Sequence, residues 1–411
     1  MEKEYKILEE KKGYATVTYR QRFYDKHMDW LCETKILYNK VLQHYYLLLL
    51  EDPNLLLKSN FNLMRELEVL TVGTKEMKKN GQKAEYPLSD LPVIPLYFRR
   101  AAINSAICMV RSAWTQGRES CSIVERFSVP PVYYKGMYKE LQEDSILLKV
   151  FTGEKWKWCR YRFVGRKLPK DTEILSPTID IKDRQAYLHI PVQKVVEDIR
   201  SVKERMQSEK RILALSFPGN NSIAVGAVLT RDGYFVKSIF FQGGSKLKAR
   251  KKIWKRKWEK QQKIGNTGTQ YLQKIEHLNT YYAHLISRRI LDFCREEKIW
   301  IIAVPHYQQA IDFSKKGYLK TNNFEWIGRR VIRFLKYKAF LEGRLVSSVP
   351  VYSISNCCSE CGERIRRYNT GHTPSKNYYG GQLFLCPNGH QGNSGLNTAR
   401  NVGKRFLSYY N

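Results

Sequence analysis

Along the chain, the spacing of apolar side chains switches several times between the period of a strand and that of a helix. Residues 14–23 (YATVTYRQRF) alternate β-formers with polar residues and read as one strand. From Lys26 to Leu50, Leu31, Tyr38, Val41 and Tyr45 recur at helical spacing, and Asp52-Pro53-Asn54 ends the run. A second helix is expected from about Pro95 to Trp114, with Arg99, Arg100 and Arg111 interrupting a small, apolar sequence, while residues 74–90 read as a polar loop. Between 145 and 195 the period returns to two. ILLKVF, KWKWCRYRFV, PTIDI and QAYLHIPV, punctuated by Gly153, Pro169 and Asp183, suggest a small antiparallel sheet or barrel that the strand at 14–23 could complete.

A charged helix is expected from about Val192 to Lys210, and a new unit follows it. ILALSF, SIAVGAVL and YFVKSIFF read as three strands joined by Gly219-Asn220-Asn221 and Arg231-Asp232-Gly233 turns, which implies two hairpins. Helical patterns at about 245–262 and 267–297, a buried strand Trp300 to Val304, a helix 324–342 and a strand 345–352 complete the order. That order is the one of an RNase H-like fold, and a generic α/β domain fits the same pattern.

Composition narrows the class. At 411 residues and 43% hydrophobic content the chain can bury more than one core, so two or three domains are expected. Lysine and arginine total 71 against 39 acids, a net charge of +32, which points to a polyanionic partner and to nucleic acid before an anionic membrane. The longest apolar runs, such as Tyr45 to Leu50, fall far short of the ~20 residues a spanning helix needs, and residues 1–20 are charged rather than signal-like. No membrane partner is expected, and the location expected is the cytoplasm of a bacterium, in association with the nucleoid.

Charge is densest from Lys246 to Lys263, where KLKARKKIWKRKWEKQQK carries ten basic residues and one acid, with Ile253, Trp254 and Trp258 available to anchor one side. Unpaired like charges at i,i+4 spacing destabilise a helix unless phosphates or counterions compensate, so Lys246, Lys248, Arg250, Lys251, Lys252, Lys255, Arg256 and Lys257 are candidate phosphate contacts. A charged solvated face is the alternative. Arg99 and Arg100 on the helix at 95–114 are further candidates. KWKWCRYRF at 155–163 interleaves aromatics with Lys155, Lys157 and Arg160 and could grip single-stranded RNA, and a half-buried strand with a wet basic face explains it equally.

Nine cysteines is an odd count, and Cys32, Cys108, Cys121, Cys159 and Cys294 are scattered without a framework, so buried thiols rather than disulfides are expected of them. The other four cluster near the C-terminus. Cys358-Ser359-Glu360-Cys361-Gly362 has the form of half a zinc knuckle, since two residues between cysteines let both thiolates reach one tetrahedral ion. Cys386-Pro387-Asn388-Gly389-His390 would supply Cys386 and His390 as the other ligands of structural zinc, with His372 and Cys357 as substitutes. A hairpin that packs without metal is the competing reading.

Together these parts resemble TnpB, the transposon-encoded RNA-guided nuclease, and the related miniature type V CRISPR effectors. FEWIGRRVIRFLKYKAFLEGRLVSSVPVYSISNCCSECG at 324–362 is similar to the family's stretch from its second nuclease motif into its zinc finger, and GLNTARNVGKRFL at 395–407 to its final motif. The resemblance implies a multidomain α+β / α/β chain. In it a helical REC-like region (26–139) is inserted in a small WED-like β-barrel (1–25 and 140–200), and a RuvC-like RNase H-fold domain (205–352 and 391–411) carries a zinc-finger-like, target-nucleic-acid-binding insert (353–390).

The family's final motif reads Asp-x-Asn-Ala-Ala-x-Asn, and here Asn397, Ala399 and Asn401 stand while Gly395 takes the place of the aspartate. Its first motif aspartate corresponds to Ser216, and its second motif glutamate to Pro305 or the adjacent His306. Residues 211–231, 298–311 and 364–411 contain no acid at all, and Asp232, Glu296 and Asp312 fall outside the expected strand ends. Asp180 and Asp183 read as part of a turn in the sheet region. RuvC-type hydrolysis uses carboxylates to hold two divalent ions, so no catalytic magnesium and no nuclease activity are expected. By resemblance to TnpB-derived RNA-guided repressors, the chain is expected to bind guide RNA and double-stranded DNA next to a short motif, and to repress transcription by blocking RNA polymerase. A nuclease with unconventional metal ligands and an RNA-guided recruiter of a transcription or transposition factor are the alternatives.

Overall fold

The structure, a computed structural model, describes residues 13–24, 27–115, 127–169, 172–307, 327–372, 374 and 381–410. It is a mixed α/β protein that divides into two compact units, Ala15–Lys194 and a second built from Val195–Asn411 with the first residues of the chain.

The first unit begins on β1 (Gly13–Phe23), followed by α1 (Met28–Glu51), a 3-10 turn (Pro53–Leu57), α2 (Asn60–Val72), the short α3 (Lys75–Lys79) and α4 (Leu96–Thr115). Its strands then come in succession: β2 (Tyr138–Lys139), β3 (Ser145–Phe151), β4 (Trp156–Gly165), β5 (Glu173–Ile174), β6 (Thr178–Lys182) and β7 (Gln185–Val196). They form one seven-stranded sheet in the order β2-β3-β4-β1-β7-β5, with β6 also paired to β7. The expected barrel is therefore a half-barrel among the described residues, because the end strands β2 and β5 are two residues long and carry the ladder no further. Packing against the sheet, α1 is tied to β3 by Thr34, whose hydroxyl accepts from the Phe151 amide at 2.9 Å, and to α4 by Tyr38, whose hydroxyl donates to the Ala101 carbonyl at 3.0 Å.

Two features differ from the sequence pattern here. Helix α2 was masked by its polar residues, yet Ser59 caps it by accepting from the Asn62 amide, and Leu63, Leu67 and Thr71 form its buried stripe. Asp183 and the following Arg184 do make the β6–β7 turn, both with positive φ, whereas Asp180 lies inside β6, 9% exposed and 3.2 Å from the Lys182 ammonium.

The second unit carries α5 (Val202–Ser208), β8 (Arg211–Ser216), β9 (Ser222–Thr230), β10 (Phe235–Gln242), α6 (Gly244–Lys263), α7 (Thr269–Glu296), β11 (Ile301–His306), α8 (Gly328–Leu341) and β12 (Leu345–Pro350). A small three-stranded sheet of β13 (Arg366–Tyr368), β14 (Leu383–Leu385) and β15 (Gln391–Asn393) leads directly into α9 (Ser394–Leu407). The charged helix expected over 192–210 is shorter than its charge suggested. Strand β7 continues to Val196, and α5 starts only after the capping box of Ser201 and Glu204.

The main sheet has the order β10-β9-β8-β11-β12, with β8, β9 and β10 antiparallel in two hairpins and β11 parallel to both β8 and β12. Its central strands are buried on both faces, which explains their unbroken apolar runs. Leu213, Leu215, Ile302 and Val304 pack with Ile286 and Ile290 of α7 and Val331 and Leu335 of α8. On the other face Ile212, Ala214, Ile301 and Ala303 pack with Val402 and Phe406 of α9. Helix α9 lies so close that a Cβ on Gly403 would sit 1.9 Å from Leu229 Cδ1, so only glycine fits there. Of the thiols expected to be buried, Cys159 and Cys294 are, Cys32 is half-buried and Cys108 is exposed; Cys121 lies outside the described residues.

Candidate functional site

The parallel register of β8 and β11 pairs Ile301 with Ile212 and Ala303 with Ala214, and Ser216 ends β8 while Pro305 lies one residue before the end of β11. The start of α9 comes to the same place. Ser216, 2% exposed, donates from its hydroxyl to the Gly395 carbonyl at 2.7 Å. Ser216 and Gly395 are thus brought together at the end of a central strand and the start of a helix, and Pro305 lies near the end of the neighbouring strand β11. Beside them opens a cleft of about 490 Å³, lined by Ser216, Gly395, Lys248, Arg367 and Thr398 among others, and none of the described residues lining it is acidic. Asp232 sits in the β9–β10 turn and Glu296 at the end of α7, both away from this lining, and Asp312 lies outside the described residues.

The cleft leaves little room for an acid at its floor. A Cβ placed on Gly395 would lie 3.2 Å from side-chain carbons of both Pro218 and Val225 and 3.1 Å from Asn393 Oδ1. Its upper side is cationic. Arg367 donates through Nη2 to the Ser355 carbonyl at 2.9 Å and to Thr398 Oγ1 at 3.3 Å, which fixes the guanidinium plane, while its buried Nε has no partner. Burial pushes this guanidinium below the usual arginine range.

Lys248 enters the cleft from the basic helix α6. On that helix Lys246, Lys248, Arg250, Lys252, Arg256 and Lys257 are exposed and Lys255 is half-buried. Lys251 differs, being only 4% exposed. It falls on the inward stripe Leu247, Lys251, Trp254 and Trp258, spaced by a turn each, and Ile253, expected as an anchor, is instead 54% exposed. Trp254 stacks on Tyr271 of α7 with centroids 6.1 Å apart, and the Lys257 and Lys274 ammoniums lie over the same ring.

In the first unit the candidate cations are more fully engaged. Arg99 and Arg100 share Glu68, at 3.2 Å and 2.9 Å, and both guanidiniums thereby brace α4 against α2. Strand β4 turns Cys159, Tyr161 and Phe163 inward and Lys157, Trp158, Arg160 and Arg162 outward. Arg160 pairs with Glu140, the Lys157 ammonium lies 5.4 Å from the Trp30 ring centre, and Lys155 sits in the turn before the strand, its amide bonded to Thr152 Oγ1. This is the geometry of a half-buried strand with a wet basic face.

The cysteine cluster closes into a candidate metal site. The ligand atoms of Cys358, Cys361, Cys386 and His390 all lie within 4.8 Å of one another, and these four side chains could hold a metal ion such as zinc. Zn–S bonds of about 2.3 Å set tetrahedral S···S edges near 3.8 Å. Cys361 and Cys386 Sγ are 3.8 Å apart, and His390 Nδ1 is 3.3 Å from Cys386 Sγ, so the donor set fits. Each half is a tight turn closed by a glycine at positive φ: Gly362 donates to the Cys358 carbonyl and Gly389 to the Cys386 carbonyl, both at 3.0 Å. The Glu363 amide lowers the Cys361 thiol to about 7, toward the thiolate that a metal requires, and burial raises that of Cys358. The substitutes are not used, since neither Cys357 nor His372 joins the group.

Residues 329–402, from α8 through the cysteine turns into α9, match the family of the Cas12f1-like TNB domain. Over these residues the chain is similar to the Cas12f1-like TNB domain. Residues 15–152 match a second family, Aq_aa04. No curated protein matches the chain. Among solved structures, a Cas12f1–sgRNA–target DNA complex is similar over 94% of this chain and 98% of that one, at 14% identity and a TM-score of 0.35. A CRISPR-Cas12f ternary complex is similar over 91% and 80%, at 12% identity and 0.33. C2c1 of Alicyclobacillus acidoterrestris, bound to single-guide RNA, is similar over 85% of this chain at 10% identity and 0.47, and the chain spans 63% of that protein's length.

Within the TNB domain, two residues carry a role that sequence reading missed. Asn397 Oδ1 accepts from the Ser359 amide and its Nδ2 donates to the Cys357 carbonyl, both at 2.7 Å. Asn401, one turn on, donates to the same carbonyl at 2.8 Å and to that of Ile354 at 2.9 Å. Lys404 reaches the Ser359 carbonyl and Arg400 pairs with Glu360. One face of α9 thus clamps the first cysteine turn, and the i,i+4 spacing of the two asparagines was the signal for it.

Proposed function

We propose that this chain binds a guide RNA and, directed by it, double-stranded DNA beside a short adjacent motif, and that it occupies the site without cutting it. At a promoter such occupancy excludes RNA polymerase, so the outcome is transcriptional repression. In this reading the five-stranded sheet with its helices is the RuvC-like RNase H-type domain, and the half-barrel with its inserted helices is the WED-like and REC-like part. The observation that carries it is the meeting of Ser216 and Gly395 at a cleft whose described lining holds no carboxylate. Two-metal phosphodiester hydrolysis needs acids to hold both ions, and serine, proline and glycine supply none.

What remains is binding chemistry. Eight exposed cations along α6 match a phosphate backbone, which fixes position and salt dependence and leaves sequence reading to base pairing with the guide. The similar solved structures are complexes with single-guide RNA and, in one, target DNA, which supports the same partners. The test is to express the chain with its native flanking DNA, sequence the RNA that copurifies and map occupancy on the genome. One discrete RNA whose end matches an occupied, uncut promoter is the expected result. Absence of a discrete RNA, or magnesium-dependent cutting of a matched target, overturns it.

A further inference from the structure

We infer that the cleft beside Ser216 and Gly395 is itself a metal-independent phosphate site, taking one backbone phosphodiester of a single strand between Lys248 and Arg367. This deepens the proposed function, on which it rests for the strand's presence in the complex. The charged groups in the described lining are both cations, so a divalent ion there meets repulsion and no carboxylate, while a phosphate meets two complementary charges. Arg367 is already oriented by the Ser355 carbonyl and Thr398, and a preoriented guanidinium suits a phosphate. The α9 N-terminus, with Ser394 and Gly395 in the lining, adds its positive dipole end.

Space and continuity point to a strand rather than a free anion. The recess, about 490 Å³, admits part of a single strand, whereas a duplex is too broad to enter it. Lys248 belongs both to the recess and to the exposed cation row of α6, so a strand following that row arrives at Arg367. The acid position cannot be refilled without movement, because Pro218 and Val225 crowd Gly395 and the Ser216 hydroxyl is bonded to the Gly395 carbonyl.

The test uses the full chain without guide RNA, with fluorescent oligothymidine and oligouridine in EDTA and in magnesium. Wild-type protein is expected to bind in EDTA, and magnesium to add no affinity. Lys248→Glu should weaken binding about tenfold beyond Lys252→Glu, the same charge change on the same helix outside the recess. Both lysines are exposed, so both variants should fold. Ser216→Asp, where it folds, should weaken binding in EDTA and recover in magnesium. If only one of the two oligonucleotides responds to Lys248→Glu, that strand is the ligand; if both respond, the site reads phosphate alone. Equal effects of the two lysine variants, or binding that requires magnesium, overturn the inference. Because no guide is present, failure of guided occupancy and failure of this site are separate results.

Discussion

Replacing Asn397 by alanine removes the centre of the clamp between α9 and the first cysteine turn, and the cost can be worked bond by bond. Asn397 is 1% exposed and Ser359 4%, so water does not replace what is lost. The Cys357 carbonyl keeps Asn401 as its donor, but the Ser359 amide loses its acceptor at 2.7 Å. One buried orphan N–H costs about 1–3 kcal/mol, which sets the expected destabilisation of the second unit. Asn401→Ala should cost less, since the Cys357 carbonyl then keeps Asn397 and only the Ile354 carbonyl is stranded, an acceptor loss at a partly buried site. Urea unfolding of the second unit's transition gives the order, and hydrogen exchange gives the place, with the Ser359 amide showing the largest loss of protection. An Asn397→Ala variant within about 0.5 kcal/mol of wild type, or one less damaging than Asn401→Ala, would refute the clamp.

The remaining expectations concern the metal, the lost acids and a histidine. Among the described residues the cysteine turns enclose Ile365 and Phe384 besides their own thiols, roughly 1.5–3 kcal/mol each, against about 10–16 kcal/mol for structural zinc in finger peptides, so chelation should unfold this part and expose three thiols to a thiol reagent. Protein that carries no metal and shows unchanged thiol reactivity after zinc is added would contradict this. Gly395→Asp alone should lower stability by about 1–3 kcal/mol through crowding with Pro218 and Val225, and should restore no magnesium-dependent cutting of a guide-matched target; cutting by this single variant would sink the acid-loss argument. His284, stacked on Phe334 at 3.9 Å, has its pKa lowered by burial and then by Lys338 and Arg333. Its contribution to stability is therefore full above the unfolded value near ~6.5 and is lost as pH falls through the lower folded value, so the melting temperature difference between wild type and His284→Gln should shrink from pH 7.5 to 5. A difference independent of pH would show that the histidine does not titrate against folding.

The sequence exposed those elements whose local and tertiary demands agree. ILALSF and SIAVGAVL are continuous apolar runs because β8 and β9 are buried on both faces, and the turns between them hold glycine and asparagine where the backbone reverses. The four metal-site residues were legible because ligand spacing is a covalent constraint on a short loop. Charge misled where it was read as exposure. The run from Val192 to Lys210 looked like one helix, although alternating burial in β7 and the Ser201–Glu204 capping box divide it, and Lys251 sits on the buried stripe of α6 through its position and not its chemistry. The pairing of Arg99 and Arg100 with Glu68 was not legible, because Glu68 lies about thirty residues away and no local pattern connects them.

The segment 395–401 separates the position facing the cleft from those that hold the cysteine turn. Three of its positions do different work: Gly395 faces the cleft, while Asn397 and Asn401 face the cysteine turn. An acid at the first position would serve only a metal pair, and its removal leaves no buried group unpaired, since the Gly395 backbone carbonyl is satisfied by Ser216. Removal of either asparagine, by contrast, strands backbone groups in the clamp on which the TNB domain depends. The two functions of one helix turn are therefore energetically separable. In the proposed reading, a lining without carboxylates offers a phosphate no like-charge repulsion and leaves the fold untouched.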